Sequence, residues 1–182
     1  MQEFTAQRKS HTSDEVWFLE HEPVYTYGIK TSKDDIPENT QLPLLKSDRG
    51  GEITFHGPGQ LVVYPLLDLK RRSIKPGEFI SKFQDAILIS LSNYQSNLII
   101  NNNDPGIYHQ NKKLVSFGLK ITKKGTYHGA SINISMDLRP WNEVTICGND
   151  QTEAIDLEKL GCNNSLSEIR KSIQKNLSKR FE

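Results

Sequence analysis

Chemistry in this chain would centre on a thiol, an amine and a glycine-rich stretch. Cys147 precedes Gly148 and follows the apolar run Val144-Thr145-Ile146. A thiol in such a loop can have exposed backbone N–H groups beside it, and these serve as oxyanion donors. The plainer alternative is a small hydrophobe packed in a core. Residues 49–60 read Arg-Gly-Gly-Glu-Ile-Thr-Phe-His-Gly-Pro-Gly-Gln, five of them Gly or Pro around an apolar Ile-Thr-Phe centre. Backbone without Cβ atoms can bend sharply or lie against a ligand, so Arg49 and His56 would flank a substrate cradle; a hairpin with ordinary turn glycines is the alternative. A third stretch, 112–133, reads as two strands joined by a Lys-Lys-Gly turn, with Gly118 inside the first strand and Gly129 inside the second. Glycine inside a strand marks a bulge or a close approach of something to the backbone. The five histidines, His11, His21, His56, His109 and His128, show no ligand spacing with either cysteine, so no metal is expected.

The elements that must position these residues follow from periodicity. Short β-rich runs at 15–19, 23–28, 44–46, 52–55 and 60–67 read as strands. A helix starts near Pro76, whose missing N–H costs nothing in the first turn. Phe79, Ile80, Phe83, Ile87, Leu91 and Tyr94 recur at helical spacing and define its buried face. Strands resume at 98–100, 106–108, 113–121 and 125–135, while 101–104 reads as a turn cluster ending at Pro105. A closing helix over 166–180 carries a Ser165/Glu168 capping box and an apolar stripe of Leu166, Ile169, Ile173 and Leu177. Strands in groups with single helices between them argue for an α+β fold with a mixed sheet.

At 182 residues the chain reads as one domain, 1–182, able to bury a core without staples. A net charge of +1 gives no global attraction to nucleic acid or membrane. No apolar run approaches membrane length and residues 1–11 carry no secretory signal, so a cytoplasmic location with Cys147 and Cys162 as free thiols is expected.

Taken together, Arg-Gly-Gly-x-x-Thr-aromatic-His-Gly-Pro-Gly-Gln, Lys-Leu-x-Ser-x-Gly-Leu at 113–119, His-Gly-x-x-Ile-Asn at 128–133 and Cys147-Gly148 resemble the lipoyl(octanoyl) transferase family over nearly the whole chain. Asp104-Pro105-Gly106-Ile107-Tyr108 resembles a further family segment. The resemblance implies the fold of biotin and lipoate protein ligases, with a mixed sheet and packed helices. It also implies transfer of an octanoyl group from octanoyl-acyl carrier protein to a lysine of lipoyl domains, those of the 2-oxoacid dehydrogenases and the glycine cleavage H protein. The family does this through a cysteine thioester and without a cofactor. Cys147 falls on the family's nucleophile and Lys113 on its catalytic lysine. Its substrate-binding positions fall on Arg49, Gly50, Gly51, Glu52, Ile53, Thr54, Phe55, His56, Ser116, Phe117, Gly118, Gly129, Ala130 and Ser131. Phe55 and Phe117 are expected to wall an apolar tunnel. An ATP-dependent lipoate–protein ligase of the same fold is the alternative reading. Ile146 stands where the family has proline. The chain begins near the family's first helix: either the start is misassigned or the family's first strand is absent, which would expose a sheet edge. An acidic carrier would be met by a local basic patch, either Lys70, Arg71 and Arg72 or Lys120, Lys123 and Lys124; ordinary solvated charge runs are the alternative for both.

Overall fold

The computed structural model describes residues 1–33, 36–37, 40–144 and 152–181. After a short helix α1 (Gln2–Ala6) come β1 (Glu15–Leu19), β2 (Val24–Tyr27), β3 (Leu44–Lys46), β4 (Ile53–His56), β5 (Gln60–Leu66) and helix α2 (Pro76–Ser92). The chain continues through β6 (Leu98–Asn101), β7 (Gly106–His109), β8 (Lys112–Thr122), β9 (Gly125–Asn133), a 3-10 turn (Arg139–Glu143), β10 (Glu153–Ala154) and helix α3 (Leu166–Phe181). The large sheet runs β1-β5-β9-β8-β7-β6, with β10 added parallel to β8. A second, smaller sheet runs β3-β2-β4, its β2–β3 pair parallel and its β2–β4 pair antiparallel. The α+β class with mixed pairing holds, but the strands divide between two sheets where one was expected.

The helices cover one face of the large sheet. Phe79, Phe83, Ile87 and Leu91 of α2 and Ile169, Ile173 and Leu177 of α3 pack against Leu61, Val63, Val115, Phe117, Ala130 and Ile132 from β5, β8 and β9. Phe83 sits between Phe79 (ring centroids 6.0 Å apart) and Phe117 (6.0 Å) and has no exposed surface. Burying such a side chain stabilises the fold by about 1.5–3 kcal/mol. Pro76 opens α2 as expected, but Ile80 is 36% exposed rather than buried, and Tyr94 lies beyond the helix end. The buried stripe runs instead through Ala86 and Ser90. The α3 capping box forms, with the Ser165 N–H (2.8 Å) and hydroxyl (2.9 Å) donating to the Glu168 carboxylate and the Glu168 N–H donating back at 3.3 Å. The small sheet has its own cluster of Tyr25, Ile53, Phe55, Trp141 and Val144.

Candidate active site

Alternation along the strands decides which side chains meet between the two sheets. Successive strand residues point to opposite faces. On β2 and β4, Tyr25, Ile53 and Phe55 face the small cluster, which leaves Val24, Thr26, Thr54 and His56 on the side that lines a cavity of about 310 Å³. On the large sheet, Val115, Phe117, Ala130 and Ile132 face the helices. Val62, Tyr64, Ser116, Gly118, Gly129 and Ser131 therefore form the opposite wall. Small residues on that wall leave the space.

Gly129 shows why the sequence must be what it is. A Cβ there would lie 1.9 Å from the Val63 carbonyl oxygen of β5, an approach no side chain permits. Its neighbour His128 has a left-handed backbone, φ 56°. Regular alternation would send His128 toward the helices with Ala130; the left-handed turn brings it to the cavity instead. Its Nε2 donates to Asp48 at 2.8 Å, and Asp48 also accepts from the Tyr127 hydroxyl (2.5 Å) and Gln2 (2.8 Å). Burial opposes ionisation of Asp48, but these three donors outweigh it and hold its carboxyl at about 2. His128 itself is pushed down from its ordinary value by burial, against the pull of Asp48.

His56 is held by Gln60. The Gln60 amide nitrogen donates to the Phe55 carbonyl (3.2 Å) and to Asn133 (2.9 Å), so its oxygen must be the acceptor facing His56 Nδ1 at 2.7 Å. This network assigns the Nδ1–H tautomer and leaves Nε2 as the ring's acceptor. Loss of water drives the imidazole down to about 3, against the Gln60 bond. His21, also on the cavity and pushed down by burial, pairs through Nε2 with the Tyr64 hydroxyl at 2.8 Å. Arg49 is 8% exposed and ties its own loop to β2. Its guanidinium donates to the Thr26 carbonyl at 2.7 Å and the Thr26 hydroxyl at 3.0 Å, while the next residue, Gly50, donates its N–H to Leu119 of β8 at 3.2 Å.

A β-bulge places Lys113. Ile107 pairs with Val115 and Tyr108 with Lys113, leaving Leu114 as an extra residue on β8. Lys113 would otherwise share the helix-facing side with Val115 and Phe117; the bulge turns it to the cavity wall. It is 3% exposed, and its ammonium donates to Asp104 Oδ1 at 2.5 Å and lies 5.6 Å from the Tyr108 ring centroid. Lys112, by contrast, pairs with Glu153 on the outside at 2.6 Å.

Of the residues expected at the site, the structure brings Lys113, Arg49, Gly51, Glu52, Ile53, Thr54, His56, Ser116, Phe117, Gly118, Gly129, Ala130 and Ser131 to one cavity. Gly50 and Phe55 are not part of its lining. Gly50 ties the loop to β8, and Phe55 faces the small cluster, with Tyr25 at 5.5 Å and Trp141 at 6.2 Å, because its register on β4 points it away. Phe117 reaches the cavity but spends its ring on Phe83. Cys147 lies outside the described residues. Asp104, His21 and Tyr64 were not singled out by the sequence; the signal for Asp104 was its place before Pro105 in a recognisable segment. Of the two basic clusters, Arg71 and Arg72 are engaged by Asp14 at 2.6 and 2.5 Å, and Arg72 also donates to the Phe181 carbonyl.

Comparison with known proteins identifies the fold and the family. A solved archaeal bipartite lipoate protein ligase from Thermoplasma acidophilum, described with its E2 lipoyl domain, superposes with a TM-score of 0.74 at 15% identity, over 98% of this chain and 75% of that one. A biotin protein ligase from Aquifex aeolicus superposes at 0.60 with 17% identity, over 86% and 69%. These likenesses establish the shared fold. In sequence, an octanoyltransferase of Laribacter hongkongensis is 40% identical over 181 residues, covering 100% of this chain and 87% of its own length. One of Vibrio cholerae is 41% identical over 160 residues, covering 88% and 74%. With residues 1–178 also matching the model of the lipoyl protein ligase A/B catalytic domain, the chain belongs to that family.

Proposed function

We propose that this protein is an octanoyltransferase, an enzyme that moves an octanoyl group from the thioester of octanoyl-acyl carrier protein to a lysine ε-amine of lipoyl domains. The observation that carries the reading is the cavity between the sheets. Its volume of about 310 Å³ lies at the small end of the roughly 300–1,000 Å³ typical of ligand sites, and the buried Lys113 ammonium stands in its wall. Relatives named octanoyltransferase at 40% identity over the whole chain support the donor and the reaction. The acceptors in this reading are lipoyl domains of 2-oxoacid dehydrogenases and the glycine cleavage H protein. The whole chain, 1–182, acts as one cytoplasmic catalytic domain, without cofactor or metal and with no nucleic-acid or membrane partner.

Cys147 is the nucleophile in this reading. An ordinary thiol, with a pKa of about 8.5, is only a few per cent ionised at neutral pH; a nearby ammonium raises that fraction. The thiolate sulfur bonds to the octanoyl carbon, the carbon–sulfur bond to pantetheine breaks, and the departing thiolate takes a proton. In the second half the acceptor amine bonds to the same carbon, loses a proton and restores the Cys147 thiolate. The assignment of Cys147 rests on the Cys147-Gly148 motif in the sequence.

Incubation with octanoyl-acyl carrier protein in the absence of ATP tests the reading. Peptide mass mapping is expected to show an octanoyl adduct on Cys147, absent from Cys147→Ser, with Cys162 unmodified. Transfer that requires ATP and leaves no adduct would instead indicate a lipoate–protein ligase.

A further inference from the structure

We propose that Asp104 is a positioning residue: its carboxylate fixes the Lys113 ammonium against the cavity wall, so that Lys113 enters the reaction as the proton donor. The proposal rests on the octanoyltransferase reading and concerns what makes its lysine competent.

The turn that carries Asp104 is built to hold one position. The Asn101 side chain accepts the N–H groups of Asn103 (3.0 Å) and Asp104 (3.4 Å), and the Pro105 carbonyl accepts the Phe117 N–H at 3.1 Å. The carboxylate is thereby fixed to β8, the strand that bears Lys113. One carboxylate oxygen takes the Lys113 ammonium at 2.5 Å and the other takes the Tyr108 hydroxyl. Behind the lysine, Gly106 leaves the space its stem occupies, since a Cβ at 106 would meet Lys113 Cε at 2.7 Å. The lysine is buried and the carboxylate half-buried, with side chains 3% and 20% exposed, whereas the neighbouring Lys112–Glu153 pair is 47% and 68% exposed and screened by water.

An ammonium held by a carboxylate gives the reaction a definite order of proton movements. In the first half Lys113 gives its proton to the departing pantetheine sulfur and becomes a neutral amine beside Asp104. In the second half that amine takes the proton lost by the acceptor amine as the amide forms, which restores the ammonium. Each turnover leaves the enzyme unchanged.

Single-turnover release of carrier thiol from octanoyl-acyl carrier protein tests the proposal. Asp104→Asn is expected to lower this rate about 10²-fold, the typical loss when a proton donor is misplaced by about an ångström, with KM for the carrier unchanged because binding contacts are untouched. Asp104→Glu restores a carboxylate and part of the rate, and Glu153→Gln leaves it as in wild type. The split between rate and KM, together with rescue by Asp104→Glu, separates positioning from mere support. A folded Asp104→Asn enzyme with the wild-type rate would overturn the proposal. If Asp104→Asn does not fold, Tyr108→Phe, which removes one bond to the same carboxylate, is expected to slow thiol release on a smaller scale with KM unchanged; a wild-type rate there overturns the proposal equally. Failure of wild-type enzyme to acylate Cys147 would sink the octanoyltransferase reading itself, an outcome seen without any Asp104 variant.

Discussion

Gly106→Ala adds one methyl group at the point where β7 passes behind Lys113. The new Cβ would lie 2.7 Å from Lys113 Cε, 2.7 Å from the Val115 carbonyl oxygen and 2.9 Å from Tyr108 Cε2, where ordinary contact begins near 3.4 Å. Something must therefore move by about 0.7 Å. The Val115 oxygen is backbone of a paired strand and cannot yield alone, whereas the lysine stem can. Overpacking of this kind costs about 1–3 kcal/mol. For a chain of this length that lowers the melting temperature by roughly 2–12 °C, at about 2–4 °C per kcal/mol. Displacement of the Lys113 ammonium by a large fraction of an ångström is expected to slow transfer by about tenfold to 10²-fold. Octanoyl transfer to a lipoyl domain, followed by intact mass, should be measured on the same sample as its thermal melt, at a temperature where the variant is fully folded. A folded Gly106→Ala enzyme with the wild-type transfer rate would refute the reasoning, because it would mean that Lys113 does not need the space glycine leaves.

Two further outcomes follow from the site and its surface. His56 should remain neutral in nitrogen-resolved NMR down to about pH 3, with its proton on Nδ1; since its folded pKa is depressed, it contributes stability that is full above the ordinary histidine value of about 6.5 and is lost as pH falls from there toward 3. Denaturation midpoints across that range should drop less steeply in His56→Gln. Charge reversal of Lys123 and Lys124 should slow association with an acidic carrier at low ionic strength but not at high. Reversal of Arg71 and Arg72 should instead lower thermal stability, through the Asp14 network they share with Arg8; carrier kinetics that respond to the second pair alone would reverse this assignment.

The elements were legible because most are amphipathic in the simple sense. Phe79, Phe83, Ile87 and Leu91 share a helix face in any sequence with that spacing, and the Ser165/Glu168 cap is a local pattern. The wall of the cavity was legible for a different reason. Gly118 and Gly129 stand where β propensity alone would place larger residues; at Gly129 the Val63 carbonyl oxygen, 1.9 Å from an added Cβ, excludes a side chain, and at Gly118 the Gly50 carbonyl oxygen, 3.0 Å away, leaves a side chain only a tight fit. What could not be read depends on register and on distant partners. The extra residue at Leu114 that turns Lys113 to the cavity is a property of the β7–β8 pairing, not of the β8 sequence. The orientation of Phe55 depends on the strand splitting off into a second sheet. Arg71 and Arg72 look like a free basic run until Asp14, far away in sequence, is brought between them.

The polar seam between the two sheets has a consequence for how the protein breathes. The large sheet owns the main core with both helices, while the small sheet rests on a separate cluster around Tyr25, Phe55 and Trp141. It is held to its larger neighbour by polar bonds, those of the Gly50 N–H to Leu119 and of His128 and the Tyr127 hydroxyl to Asp48 among them. Segments with few buried apolar contacts are the ones that open below the global unfolding free energy. Backbone amides of β2 and β4 should therefore exchange with solvent sooner than those of β5 and β9, and a molecule filling the space between the sheets would protect them out of proportion to the contacts it makes. In the octanoyltransferase reading, a bound acyl chain would thus act as a structural member of the fold, adding a second apolar layer to the smaller sheet for as long as it stays bound.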